Sequence, residues 1–450
     1  MEDILRYIDG HTETFVHDLQ RLCQQPSISA QHKGVDECAA LLIAQMQAKG
    51  IPARTEPVEG GPPLVVADIT GDSPRTLLLY DHYDVQPVDP LDEWTSDPFG
   101  AEIRDGRLYA RGAQDTKGNI MARVAAIEAW LRVRGRLPVS VKLLIEGEEE
   151  IGSPHLGTAM RQRPELARAN ACIWESGSKD NNDVLNIYLG CKGICYVELE
   201  VLGAKRDLHS SQAVVVPNPA WRLVWALGTL KGPDEQILIP GFYDDVVEPT
   251  PAELEMVQRI AASRDEERSR RDLGIPAYMK GLTGAELTRR RLFAPTCTIC
   301  GITTGYQGPG SKTVLPRRAG AKVDFRLVPN QRAEDILAKL REHLRRVAYG
   351  DITVRPLGME EPSKTPFDAP IVDVVAETAE EIYGRPPIIL PTMAGSGPMH
   401  VVCGQFGTPA VGTGVGHAQA NVHGPNEHIR LSDYIQGIKH IALILQRFAA

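Results

Sequence analysis

Two histidines and a set of carboxylates stand where a folded chain would gather them. His82 and Asp84 directly follow the apolar run TLLLY (76–80). Glu149 and Glu150 come within five residues of VSVKLLI (139–145), and Glu175 follows NACIW (170–174) at once. Asp115 sits in the glycine-flanked loop RGAQDTKG (111–118), and His423 lies beyond the strand-like TPAVGTG (408–414). Any one of these has a bland reading. A lone histidine is usually structural, and Glu148-Glu149-Glu150 alone reads as a solvated acidic turn. Five acid or histidine sites at the ends of apolar runs favour a metal cluster instead, because ligands in open parallel sheets bind beyond the carboxyl ends of the strands. Imidazole and carboxylate without thiolate suit a catalytic zinc site rather than a closed structural one. There are too many carboxylates for one tetrahedral ion, so two divalent ions are expected, zinc first and cobalt or manganese as alternatives. Such ions bring the pKa of a bound water near 7. An unligated carboxylate beside them could then take the water's proton and deliver it to a leaving amine.

The elements that must position these residues can be read from periodicity. Residues 1–50 read as helices, ending on Gly50. LVVADI, TLLLY, VSVKLLI and NACIW are strand candidates, and EIRDGRLYA (102–110) carries the hairpin signal Asp105-Gly106. In NIMARVAAIEAWLRV, residues Ile120, Val124, Ile127 and Leu131 define one face of a helix. Alternating strands and helices of this kind imply an α/β fold with a mostly parallel sheet flanked by helices. Near residue 190 the character shifts. CYVELEVLG (195–203) and VDFRLVP (323–329) alternate apolar and polar, and AEDILAKLREHLRRV (333–347) is an amphipathic helix. The charge-rich RDEERSRRD (264–272) between them reads as a solvated helix face. From about 366 the helix–strand pattern returns. An α+β domain over 191–362 is therefore expected to interrupt a catalytic domain formed by 1–190 and 363–450.

Composition bounds the function. The formal net charge of -9 argues against a nucleic-acid or anionic-membrane role, and no apolar stretch approaches a membrane span. The acidic, amphipathic N-terminus does not read as a signal peptide. Eight cysteines without a tight framework suggest reduced thiols in a cytoplasmic protein. Cys297 and Cys300 form a CxxC and Cys191 and Cys195 a looser pair, but both lie in strand-like runs where cysteine acts as a small apolar residue. GYQGPGSK (305–312) fails as a phosphate loop because serine stands where lysine is needed. Neither GSG (395–397) nor GTGVG (412–416) carries the rest of a nucleophile-elbow or dinucleotide motif.

Six blocks carry a family resemblance: DHYDVQP (81–87), YARGAQDTKG (109–118), EGEEEIGS (146–153), RDLHS (206–210), DFRLVP (324–329) and HGPNE (423–427). In this order they resemble the dizinc superfamily of carnosinase-type dipeptidases, glutamate carboxypeptidase, aminoacylase, acetylornithine deacetylase and succinyl-diaminopimelate desuccinylase. The resemblance implies that His82 and Glu175 bind one zinc, that Glu150 and His423 bind the other, and that Asp115 bridges them. It implies Asp84 as the carboxylate orienting the His82 ring, and Glu149 as general base. It implies His209 as an oxyanion donor reaching the partner subunit's site, and Arg326, near Gly395 and Ser396, as the grip on the substrate carboxylate. The inserted domain would be a lid and dimerisation domain, and Asp115–Thr116 a cis peptide. Two features depart from the pattern or leave it open. Thr116 stands where many relatives have a second acid, and the acidic triplet leaves a register choice, made here by aligning EEIGS with the family's EExGS. DHYDVQP, DEWTSDPF and the long insertion lean toward the dipeptidase branch, acting on a small peptide beside a free carboxylate. An N-acyl amino acid deacylase or desuccinylase is the alternative. A catalytically silent binding homologue would have lost Glu149 or a ligand, and none is lost here.

Overall fold

The computed structural model describes residues 1–450, which divide into two compact units. The first comprises Met1–Gly190, Lys364–Met393 and Pro398–Ala450. The second comprises Cys191–Ser363 together with Ala394–Gly397.

The first unit is an α/β layer structure around a 10-stranded sheet. Its centre is parallel: Leu137–Glu146 pairs with Gly71–His82, which pairs with Ala171–Trp174, which pairs with Ala410–Gly412. Antiparallel pairs flank this centre, as where Leu64–Ile69 runs against Leu137–Glu146. The last six residues of Gly71–His82 and all four of Ala171–Trp174 are buried, as a strand covered on both faces requires. The helices Glu2–Gly10, Thr12–Gln24 and Val35–Ala48 precede the sheet, and Gly50 follows the third of these with φ +83°. The Asp105-Gly106 hairpin joins Glu102–Arg104 to Arg107–Tyr109, with both turn residues at positive φ.

The helix Gly118–Arg134 differs from the one-sided reading of its apolar residues. All of residues 118–130 are buried, Asn119, Arg123 and Glu128 included. The helix lies between the sheet and the helices Glu2–Gly10 and Leu431–Ala449, so no side of it meets solvent along that stretch.

The second unit holds a four-stranded antiparallel sheet in the order Thr298–Thr304, Arg318–Leu327, Gly193–Leu202, Thr353–Glu360. Buried Cys195, Val197, Leu199 and Val201 alternate with half-buried residues, and buried Ala319, Ala321, Val323 and Phe325 alternate with half-buried or exposed ones. These two inward rows form one core with the helices Pro219–Leu227 and Ala333–Arg346. The charge-rich stretch forms the helix Glu266–Asp272, which buries none of its residues. GYQGPGSK is an exposed loop with no helix after it. None of the eight cysteines is joined in a disulfide, and seven are buried. No helix is long and apolar enough to cross a membrane.

Candidate active site

Register brings the strand-end residues of the first unit together. His82, the last residue of its strand, lies beside Glu146, so the turn that follows, Glu149–Ile151, opens next to the imidazole. Glu175 follows the next strand over. Asp115 stands in the turn before the helix Gly118–Arg134, and its peptide bond to Thr116 is cis, as the resemblance implies. His423 comes from the loop before His428–Arg430, with φ +63°.

Two groups of ligand-type side chains result, His82–Asp115–Glu175 and Asp115–Glu150–His423, each with its donor atoms within 4.8 Å of one another. Asp115 gives one oxygen to each group. Its Oδ1 is 3.2 Å from His82 Nε2, and its Oδ2 is 2.9 Å from His423 Nε2. Glu150 Oε2 lies 3.2 Å from that same His423 nitrogen. Glu149 belongs to neither group, although its Oε2 is 4.0 Å from His82 Nε2. Asp84 stands behind them. Its Oδ1 is 3.4 Å from His82 Nδ1, and its two oxygens accept the backbone N–H groups of Glu149 (3.2 Å) and Glu150 (3.1 Å). The Asp84 carbonyl lies closer still to His82 Nδ1, at 3.1 Å, so this one residue fixes the ring through its backbone and carboxylate and the acidic turn through its carboxylate.

The electrostatics ask for positive charge at this spot. Burial holds the Glu175 carboxyl up at about 7 and Glu149 well above its ordinary range, and the neighbouring carboxylates push both further in that direction. Hydrogen bonds to Asp115 and Glu150 raise the His423 imidazole to about 10. Although burial works against it, His82 is likewise raised by Asp115 and Asp84. Asp115 is itself lowered by its bonds to the two histidines, which outweigh its burial. A field that pulls protons onto two imidazoles suits divalent cations equally well, and the nitrogen and oxygen donors fit two of them.

Of the remaining expected site residues, Arg326, Gly395, Ser396 and His209 belong to the second unit. Arg326 donates from Nη1 to Ser396 Oγ (2.7 Å) and from Nε to Asp324 Oδ2 (3.1 Å). The Gly395 carbonyl accepts the Lys192 N–H at 3.0 Å. His209 is exposed, and its Nδ1 accepts the Ser211 N–H at 3.2 Å.

Several participants were not picked out from sequence. Gln86 donates to Glu150 Oε2 at 2.9 Å. Asn119 donates to the Glu175 carbonyl and to Thr116 Oγ1, and accepts from the Val415 N–H, tying three site segments together. Buried Arg123 pairs with Asp81 at 2.8 Å and donates to the Trp174 carbonyl, bracing the strand ends that carry His82 and Glu175. An arginine inside the apolar run NIMARVAAIEAWL was the signal, since a charge is buried only with partners. Around Arg326 lie Lys192, which burial lowers to about 8, and Glu360, which burial raises to about 7.

The family model described as Peptidase family M20/M25/M40 matches residues 78–447. The Cys-Gly metallodipeptidase dug1 of Schizosaccharomyces pombe is 28% identical over 100% of this chain and 98% of its own length. The human Beta-Ala-His dipeptidase is 30% identical over 76% of this chain and 71% of its own. Among solved structures, the M20 family metallo-carboxypeptidase Sso-CP2 from Sulfolobus solfataricus superposes with a TM-score of 0.92 at 39% identity, covering 97% of this chain and 99% of that one. A match that runs from the first metal-type strand to the last helix, with relatives and structures of the same kind, assigns the chain to the M20/M25/M40 peptidase family.

Proposed function

We propose that this peptidase hydrolyses the amide bond of a dipeptide or short peptide next to a free carboxylate, with two divalent ions, zinc first, held by His82 and Glu175, by Glu150 and His423, and by Asp115 between them. The observation that carries this reading is the division of the Asp115 carboxylate between two ligand groups, with Glu149 close by and outside both. The names of the relatives, two dipeptidases and a carboxypeptidase, support the substrate class. When bound, the ions would supply Lewis acidity toward the carbonyl and an activated water.

The chain's own residues do the rest. Glu149 takes a proton from the attacking water as its oxygen joins the carbonyl carbon, then gives that proton to the amide nitrogen as the C–N bond breaks. One carboxylate serves as base and then as acid, so the cycle closes without an outside proton. Asp84 keeps Glu149 and the His82 ring in register by its three contacts. Arg326, presented by Ser396 and Asp324, takes the substrate's carboxylate. Because the Ser211 N–H donates to His209 Nδ1, the neutral ring keeps its proton on Nε2, a donor suited to the oxyanion of a partner subunit's substrate.

That last role needs a dimer, and a homodimer is part of the reading. Thr298–Thr304 is an edge strand with Ile299 and Ile302 each 48% exposed. On the helix Pro219–Leu227 of the same unit, Trp221 and Trp225 stack in the open at 5.9 Å. Unpaired edges and exposed aromatics are surfaces that proteins cover. Eight cysteines without a disulfide support a reducing, cytoplasmic setting. The test is metal analysis combined with a hydrolysis screen of dipeptides against N-acetyl and N-succinyl amino acids, with zinc, cobalt and manganese. Two ions per chain and turnover of dipeptides are expected. A single ion, or turnover confined to N-acyl amino acids, overturns the metal reading or the substrate reading respectively.

A further inference from the structure

Beneath the ligand groups lies a second layer, built on one ion pair. Arg111 Nη1 meets Glu427 Oε2 at 2.7 Å, and both side chains are 1% exposed. The two residues are 316 positions apart in sequence, yet nearly every hydrogen bond they make goes to a segment that carries a proposed metal ligand. Glu427 Oε2 accepts the Gly112 N–H (3.0 Å), and its Oε1 accepts those of Gln114 (3.0 Å) and Asp115 (3.1 Å). A carboxylate cupped by three backbone donors of one loop holds that loop's shape. Gly112 allows it, with φ +82° and no room for a side chain, since a Cβ there would stand 2.4 Å from Val85 Cγ1. Arg111 Nη2 reaches the other way, to the carbonyls of Pro87 and His423, both at 3.1 Å. The first belongs to the loop after His82. The second belongs to His423 itself, whose positive φ needs an external hold.

A buried ion pair is a poor means of stabilising a fold, because the cost of desolvating both charges rivals their attraction. Here the contacts lead to the segments of His82, Asp115 and His423, so the pair has a different use. We infer that Arg111 and Glu427 are positioning residues of the metal centre: Glu427 sets where the bridging Asp115 stands, and Arg111 fastens the His423 backbone to the loop after His82. The inference rests on the two-metal reading above. It also separates the two residues. Glu427 acts through Asp115, which both ligand groups share, whereas Arg111 acts on His423, which belongs to one.

The test is a calorimetric titration of the chelator-treated full-length protein with zinc, using wild type, Glu427→Gln and Arg111→Lys. Circular dichroism and a urea midpoint of each metal-free protein report folding separately. Wild type is expected to bind two ions. Glu427→Gln, which keeps the size of the side chain but loses its acceptor charge, should weaken both ions about 10- to 100-fold. Arg111→Lys keeps a positive charge beside Glu427 but cannot span the two carbonyls, so it should weaken one ion and spare the other. Should Glu427→Gln fail to fold, Arg111→Lys decides alone. Two ions bound by the variants with wild-type affinity, or a loss of metal-free stability with affinity unchanged, overturn the inference while leaving the two-metal reading standing. A wild-type protein that binds fewer than two ions overturns that reading itself, and this inference with it.

Discussion

The residues proposed to act in the two units are held in different ways. In the first unit the proposed ligands stand at the end of a buried strand or in a turn or loop next to one or to a buried helix, and buried neighbours bond their backbones. Asp84 holds the Glu149–Glu150 turn, and Asn119 holds the Glu175 carbonyl. In the second unit it is the side chains of Arg326 and His209 that are held. The Arg326 side chain is 34% exposed against Ser396 and Asp324, and His209 rests on Ser211 in a surface turn. Metal ligands lose their function with small displacements, so their backbones are fixed. Groups that grip a variable substrate need reach more than rigidity. Changes in the first unit should therefore act abruptly and on kcat, and changes in the second by degrees and on substrate binding.

The largest effect should come from Glu149→Gln. It removes the shuttling carboxylate and leaves both ligand groups whole, so kcat should fall roughly 10²- to 10⁴-fold with two metals still present. Retained activity would move the base to Glu148 or Glu150. His209→Ala tests the second unit at its most catalytic point, with an expected loss of about 10²- to 10³-fold in kcat. Mixing His209→Ala with Glu149→Gln subunits should restore part of the activity, because one site of each mixed dimer is then intact. No recovery after verified subunit exchange would mean that His209 does not serve a partner. Arg326→Met should act mainly through KM. Losing a charge-assisted bond worth about 1.5–3 kcal/mol lowers kcat/KM roughly 10- to 150-fold for substrates with a free carboxylate, and much less for their amides. Equal losses on both would remove Arg326 from the carboxylate grip.

The smallest effect concerns the first unit's packing alone. Burial lowers the His440 imidazole to about 4; its Nε2 lies 3.2 Å from both the Val375 carbonyl and Thr378 Oγ1. In the unfolded chain it titrates near 6.5, so between those values the unfolded state binds the extra proton and stability falls with falling pH. This contribution is whole above pH 6.5 and should lose about 1–2 kcal/mol by pH 5. Urea midpoints from pH 7 to 5 should be flatter for His440→Gln than for wild type. Parallel slopes would place the acid sensitivity elsewhere.

The same contrast explains what could be read before the fold was known. His82, Glu149, Glu150 and Glu175 were legible because each follows an apolar run, and strand ends in a parallel sheet converge. The second unit's alternating strands were equally plain, since their period of two survives in CYVELEVLG and VDFRLVP. Arg111 and Glu427 were hidden by their separation, for a charged residue in a loop looks solvated until its partner is found. The helix Gly118–Arg134 misled for a related reason. Its small alanines, scattered around the helix, allow close packing on every side, which a search for one apolar stripe does not detect. The assignment of Ala394–Gly397 to the second unit was likewise invisible, because four residues carry no periodicity.

The division of the first unit into separate stretches of chain has a consequence for synthesis. Glu175 leaves the ribosome some 250 residues before His423, and the helix Leu431–Ala449, which closes the first core, follows later still. At about 5–20 residues per second this is an interval of roughly 12–50 s. During it the nascent chain holds the His82–Asp115–Glu175 group without its second half. The proposed two-ion centre therefore cannot be finished until His423 has been made, some 250 residues after Glu175.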